Sequence, residues 1–190
     1  MRKRADDVAD TRLRIVEAAM RLHGTVGPAA TTIAGIAAAA GVTRVTVYRH
    51  FTDDDALFTA CSAHWREGQA LPDPQRWSEI ADPHARLLAG LTDLYRFYRA
   101  GAPMLRLIHR DLDAIPEAQR HGLVETDAHH RDVLLAPWRT RGARRRRTSA
   151  VIGHAVSFGT WHSLCAEQGL SDREAADAMV VMVAATACPP

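Results

Sequence analysis

The side chains best placed to do chemistry crowd into one short stretch. Thr43, Arg44, Thr46, Tyr48, Arg49 and His50 fall within eight positions. Arg supplies a charged, bidentate fork, and Thr, Tyr and His supply neutral donors. Such a set suits phosphate oxygens and base edges. Val47 and Phe51 stand four apart, so on a helix they share the opposite side and can root it.

The elements that must hold this stretch are legible around it. Thr31 or Thr32 can cap a helix in which Ile33, Ile36, Ala37 and Ala40 form one apolar stripe. Gly41 stops that helix, because only Gly enters the left-handed region without a Cβ penalty. Thr43 caps the next helix, which runs to about His50. Ala37 and Gly41 are small enough for a close crossing of the two helices. The result is a helix-turn-helix, whose second helix enters the major groove of DNA. Before it, Thr11 to Gly24 has the pattern of an amphipathic helix, and Gly27-Pro28 breaks the chain. Met1 to Asp10 reads as a loose polar arm. Its Arg2, Lys3 and Arg4 either touch phosphate or the minor groove, or form a solvated tail.

Behind the motif, Leu57, Phe58, Cys61 and Trp65 predict a helix from Asp53 to about Ala70, and three prolines between Leu71 and Pro83 predict a loop. A strongly apolar helix follows from His84 to near Gly101, and Pro103 starts a short one. Pro116 starts another that ends at Pro137. Arg139 to Arg147 is a basic run, read as a solvated loop or helix start. The final pair is expected at 149–168 and 172–187, with Gly169 as a stop and Ser171 and Glu174 as a capping box. No strand-period pattern stands out. The expected fold is all-α with about nine helices, a front domain at 1–52 and a rear domain at 53–190.

These residues resemble the DNA-binding domain of the TetR-type (TetR/AcrR) transcriptional regulators. The likeness is carried by Thr31-Thr32, Ile36-Ala37, Ala40 to Thr43, Thr46-Val47-Tyr48, His50-Phe51 and Ala56-Leu57-Phe58. Ile15, Ala18, Ala19 and Leu22 before Gly27 fit as well. Two positions depart from the pattern. Asp53, Asp54 and Asp55 stand where the family usually has a phosphate-binding Lys, and Ala34 stands where a basic residue is common. The resemblance implies DNA contacts from Thr32, Thr43, Arg44, Val45, Thr46, Tyr48, Arg49 and His50. It implies a repressor that binds a palindromic operator as a homodimer through the last two helices. Ala155, Phe158, Gly159, His162, Leu164, Ala175, Met179, Met182 and Val183 are the expected lining of those helices. It also implies release by a small-molecule effector, with Trp65, Tyr95, Tyr98, Met104, Leu107, His109, Phe158 and Trp161 as candidate pocket residues. Core packing is the plainer reading of each. The rival readings are a ligand-independent DNA-binding protein and, less well supported, a helical enzyme using the rear-domain pocket.

Composition agrees with a nucleic-acid module joined to a different one. Residues 1–51 carry eight Lys/Arg against four Asp/Glu, a net of +4, and the rest carries sixteen against eighteen, a net of −2. Cys61, Cys165 and Cys188 form no paired spacing, which argues for a reducing, cytoplasmic setting. No signal peptide is visible, and no run of about 20 apolar residues suggests a membrane span. The four histidines His109, His129, His130 and His162 lack metal-ligand spacing. There is no phosphate-binding glycine loop and no nucleophile elbow. Neither catalytic residues, nor a metal, nor a cofactor is expected.

Overall fold

The computed structural model describes residues 2–187, with side chains from Asp6 onward, and the regular structure among them is helical. The helices are α1 (Arg2–Thr25), α2 (Ile33–Ala40), α3 (Arg44–His50), α4 (Asp54–Glu67), α5 (Pro74–Ser78), α6 (Pro83–Arg110), α7 (Glu117–Leu135), α8 (Gly142–Val156), α9 (Phe158–Trp161) and α10 (Asp172–Ala187). That is ten among the described residues, against the nine expected. A wide-turned π segment, His162–Glu167, continues α9. The chain divides into two compact units. The front unit is Met1–Gln69 with Gly101–Arg120, and the rear unit is Ala70–Ala100 with His121–Pro190.

In the front unit α1 packs against α2 and α4, and α2 packs against α3. The shared core is built from Ile15, Ala18, Ala19, Ile36, Ala37, Val47, Phe51, Leu57 and Cys61, with a few neighbours. Helix α1 begins at Arg2, so most of the expected loose arm is helical. No Gly or Pro precedes Gly24 in this stretch, and extending a nucleated helix costs little. The suggested phosphate contacts of Arg2, Lys3 and Arg4 lie outside the described side chains.

Compactness carries the front unit past residue 52. Helix α4 closes on α1 where the Cys61 Sγ meets His23 Nδ1 at 3.4 Å and the Phe58 and His23 rings lie 4.9 Å apart. The turn after α1 is fastened as well. Asp111 accepts the Ala29 N–H at 3.0 Å, and Arg110 Nη2 donates to the Val26 carbonyl at 2.9 Å. Gly27 sits there at φ 92, and a Cβ would collide with Arg110 and Asp111.

At four places the helices differ from those expected. Helix α6 runs unbroken through Gly101 and Pro103. Pro103 removes one backbone bond, to the Arg99 carbonyl. Buried residues pin the helix on both sides of it, Leu91, Leu94 and Tyr95 before and Leu105 and Leu107 after. The expected loop at 71–83 contains α5. Asp73 caps it, bonding Gln75 and Arg76 N–H at 3.1 and 3.3 Å, and its buried Trp77 donates to Asp93 at 3.1 Å. Helix α8 starts at Gly142, inside the basic run, and the expected 149–168 helix ends at Val156. Ser157 turns extended there, and its Oγ accepts the Thr160 N–H at 3.2 Å to start α9.

Helix α10 starts and ends where expected. Glu174 accepts the Ser171 N–H at 2.9 Å, Ser171 Oγ accepts the Glu174 N–H at 3.2 Å, and Gly169 before them has φ 78. It packs against α8. Asp172 ties the rear unit together. It takes both Arg99 nitrogens at 2.7 Å and the Trp161 indole N–H at 2.8 Å.

Candidate nucleic-acid interface

Helices α2 and α3 form the expected motif by local chemistry. Thr32 Oγ1 accepts the Gly35 N–H at 3.0 Å, and Thr43 Oγ1 accepts the Thr46 N–H at 3.1 Å. Each hydroxyl satisfies a backbone donor that the helix itself leaves open. Gly41 ends α2 at φ 67. Nothing lies within 4 Å of where its Cβ would be, so its conformation, and not a close helix crossing, requires Gly.

Helix α3 has two unlike sides. Val47 and Phe51 are buried, at 1% and 3% exposure. Val45 and Tyr48 are exposed at 78% and 52%, and Arg44 and Arg49 are exposed beside them. An apolar Val so open to solvent, next to two arginines, suits contact with a thymine methyl or sugar more than it suits water. Thr43 and Thr32 are also exposed. Thr46 and His50 are only half-exposed. Thr46 lies 3.0 Å from the Thr43 hydroxyl, and His50 is held below its usual pKa by burial and then by the Arg49 and Arg12 charges. His50 is therefore mostly neutral near pH 7 and adds no further cation to Arg44 and Arg49.

The acidic residues behind α3 have structural work. Asp53 caps α4 through the Ala56 N–H at 2.7 Å, and the Tyr48 hydroxyl reaches Asp54 at 3.4 Å. That bond is long, so the hydroxyl can exchange it for a phosphate oxygen. Arg12 is the residue that motif reading overlooked. Its guanidinium lies 4.1 Å from the Phe51 ring centre, and its Nη1 donates to the His50 carbonyl at 3.2 Å. It fixes the end of α3 from α1, and no local spacing in the sequence joins residues 38 apart.

The eight effector candidates fall in both units. Trp65, Met104, Leu107 and His109 belong to the front unit, and Tyr95, Tyr98, Phe158 and Trp161 to the rear. The rear four are buried. Tyr95 and Tyr98 donate their hydroxyls to the Ala155 and Val156 carbonyls at 2.9 and 2.6 Å, and Trp161 donates to Asp172. Their edge contacts, such as Tyr98 on Phe158 at 5.6 Å, are those of a packed core. No group of three metal-binding side chains occurs among the described residues, and none of their helices is long and apolar enough to cross a membrane.

Known proteins share both the motif and the wider fold. Residues 15–61 match the family described as bacterial regulatory proteins, tetR family. The HTH-type transcriptional regulator AcrR of Shigella flexneri is 41% identical over 58 residues, 30% of this chain and 27% of that protein. The HTH-type transcriptional regulator TtgR of Pseudomonas putida is 42% identical over 60 residues, 32% of this chain and 29% of that one. The match thus spans under a third of these curated relatives. Over nearly the whole chain the likeness is one of fold. NalD, the secondary repressor of the MexAB-OprM multidrug efflux pump in Pseudomonas aeruginosa, superposes with a TM-score of 0.60 at 22% identity, covering 95% of this chain and 97% of that one. A tetR-family transcriptional regulator from Streptomyces coelicolor gives 0.61 at 21%, covering 94% and 80%. With the capped helix pair and the rooted α3, residues 15–61 carry the domain of the bacterial regulatory proteins of the tetR family, and the rest of the chain shares the all-helical fold of such proteins.

Proposed function

We propose that this protein is a one-component transcriptional repressor that binds a palindromic operator as a homodimer and leaves it when a small molecule binds. The observation that carries the reading is α3: a short helix rooted by Val47 and Phe51, with Arg44, Val45, Tyr48 and Arg49 outward. Arg44 and Arg49 read base edges. Thr32, Thr43, Thr46, Tyr48 and His50 hold phosphates, and Val45 makes apolar contact. One helix of seven residues offers few base contacts, and a two-fold twin doubles them across half-sites about 34 Å apart. Repression is suggested by the likeness to NalD, itself a repressor.

Pairing through α8 and α10 needs a face that the chain leaves open. Ala155, Phe158, Ala175, Met179 and Val183 are buried within the chain. The outward side of α10 carries Ala178, Val181, Met182 and Ala185 at helical spacing, with Val181 70% and Met182 46% exposed. That stripe is the surface on which we seat the twin. The effector, a mostly apolar molecule, would act by opening the aromatic cluster of Tyr95, Tyr98, Phe158 and Trp161.

The test is binding to genomic fragments at fixed salt. Arg44→Ala and Tyr48→Phe should weaken operator binding with the fold intact, and Met182→Glu should yield monomers by light scattering. Unchanged affinity in both α3 variants would overturn the DNA assignment.

A further inference from the structure

We propose that the cleft between α7 and α8 in the rear unit binds a phosphorylated small molecule carrying at least two negative charges. The cleft has a volume of about 590 Å³, within the usual span for small-molecule sites. Arg131 and Leu135 of α7 form one wall, and Arg145, Arg146, Ser149 and Gly153 of α8 form the other. The proposal goes beyond operator binding and does not depend on it.

Charge is the first argument. Arg131 gives Nε and Nη2 to its neighbour Asp132, both at 2.9 Å. Arg145 and Arg146 have no carboxylate partner among the described residues, and Ser149 has no hydrogen-bond partner there. The chain contains no Asp or Glu between Val133 and Ala166, so no nearby stretch of sequence supplies one. Arginines facing one concavity without counter-charge repel each other. A ligand with several anionic oxygens relieves that repulsion and takes the planar forks two bonds at a time.

Shape is the second argument. On the α8 wall small residues, Gly142 before and Ser149, Ala150 and Gly153 after, flank the arginine pair. At Gly153 an added Cβ would stand 3.4 Å from Arg131 Cδ, so the Arg131 stem lies against the helix while its head bonds Asp132. Leu135, only 5% exposed, adds a small apolar patch to the opposite wall. A single carboxylate would neutralise only one of the two arginines that lack a counter-charge, Arg145 and Arg146, which is why we assign a phosphoanhydride or a multiply charged phosphate ester.

The test is calorimetric titration of the full-length chain with pyrophosphate, ADP and inorganic phosphate at one ionic strength. Pyrophosphate or ADP should bind at one site per chain, with inorganic phosphate weaker. Each guanidinium removed, as in Arg145→Gln and Arg146→Gln, should cost about tenfold in affinity. Arg145→Lys, which keeps charge and loses the fork, should fall between. Melting temperature, oligomeric state and operator affinity should not change in these variants. Absence of binding by both probes would overturn the proposal, as would binding that survives the double substitution. Loss of operator affinity or of the oligomer in the double variant would also overturn it, by showing a nucleic-acid or subunit surface instead.

Discussion

Helices α3 and α8 each display arginines that lack a carboxylate partner among the described residues, and they are built in opposite ways. Helix α3 has seven residues and presents Arg44 and Arg49 on an outward surface above two buried anchors. Helix α8 has fifteen, and Arg145 and Arg146 line a concavity whose other wall is α7. A protruding rod can enter a groove, whereas a lined hollow can only receive. Net positive charge is common to both and so cannot name the partner. Shape does, together with the neutral groups between the arginines: Thr and Tyr hydroxyls and an exposed Val on α3, and small residues with one free Ser hydroxyl on α8.

The largest effect should come from uprooting each helix. Phe51→Ala removes the ring beneath α3 and the face on which Arg12 rests, and should cost about 3–5 kcal/mol of stability. Ile152→Ala, the fully buried counterpart on α8, should cost about 2–5 kcal/mol. Urea unfolding measures both. The comparison predicts different collateral losses. Operator affinity should vanish in Phe51→Ala and survive in Ile152→Ala at temperatures where the chain remains folded. Full operator affinity in folded Phe51→Ala would mean that α3 does not need its root.

Acid should separate the units next. Burial lowers His23 in the front unit and His130 in the rear to a pKa of about 4. A buried neutral His binds its proton less readily than the unfolded chain does at 6.5. Its contribution to stability is therefore intact above pH 6.5 and is lost as pH falls from there towards 4. For His23 the loss is on the order of 2 kcal/mol by about pH 5. In the rear unit Asp127 works the other way, because burial raises it to about 6. Its charged form is disfavoured in the fold, so acidification between about pH 6 and 4 removes a penalty there and offsets His130. The front unit should thus open first at about pH 5, seen as faster amide exchange in α1 and α4 after correction for intrinsic rates. His23→Gln should narrow the difference, leaving the smaller share of His109, which burial also lowers in the front unit. Equal acid sensitivity in both units would break the contrast.

How far each region could be read in advance follows from the same physics. The front motif is specified by neighbours: Thr32 and Thr43 bond N–H groups three residues on, Gly41 supplies its own backbone angle, and Val47 and Phe51 are one turn apart. Signals of that range are visible in a linear sequence. The rear depended on distant partners. Pro103 looked like a helix start, yet burial on either side carries α6 through it. Ser157 looked like an ordinary helical residue, and its hydroxyl caps a new helix instead. The aromatic residues chosen for a pocket are packed, because Tyr95 and Tyr98 find carbonyls about 60 positions away. The α7–α8 cleft was hidden for the same reason. Arg139 to Arg147 announced charge, but only the fold brings Arg131 and Leu135 opposite it.

Helix capping offers a smaller and cleaner contrast. Seven residues are too few for a helix to persist in water without help, so α3 leans on its cap. Thr43→Ala should cost about 1 kcal/mol and loosen operator binding, read by anisotropy at fixed salt. The residue in the same position on α8, Arg141, makes no side-chain cap bond. Arg141→Ala should leave unfolding unchanged. An equal loss in both variants would show that α3 draws no special support from its hydroxyl.

The smallest expected change sharpens the α8 side alone. Gly153 is helical and not in a left-handed conformation, so an Ala there carries no backbone strain and should stabilise α8 by about 0.5–1 kcal/mol. Its Cβ would reach ordinary contact with Arg131 Cδ at 3.4 Å, and both residues line the cleft. Gly153→Ala should therefore raise the melting temperature slightly while weakening pyrophosphate binding, and should leave operator affinity alone. The two signs are the useful part. A stabilised protein that binds the anion less well has lost room in the hollow, since loss of fold would move both quantities the same way. A variant that gains stability and keeps full anion affinity would place the ligand on the arginine rim, outside the concavity, and α8 would then differ from α3 in length but not in kind.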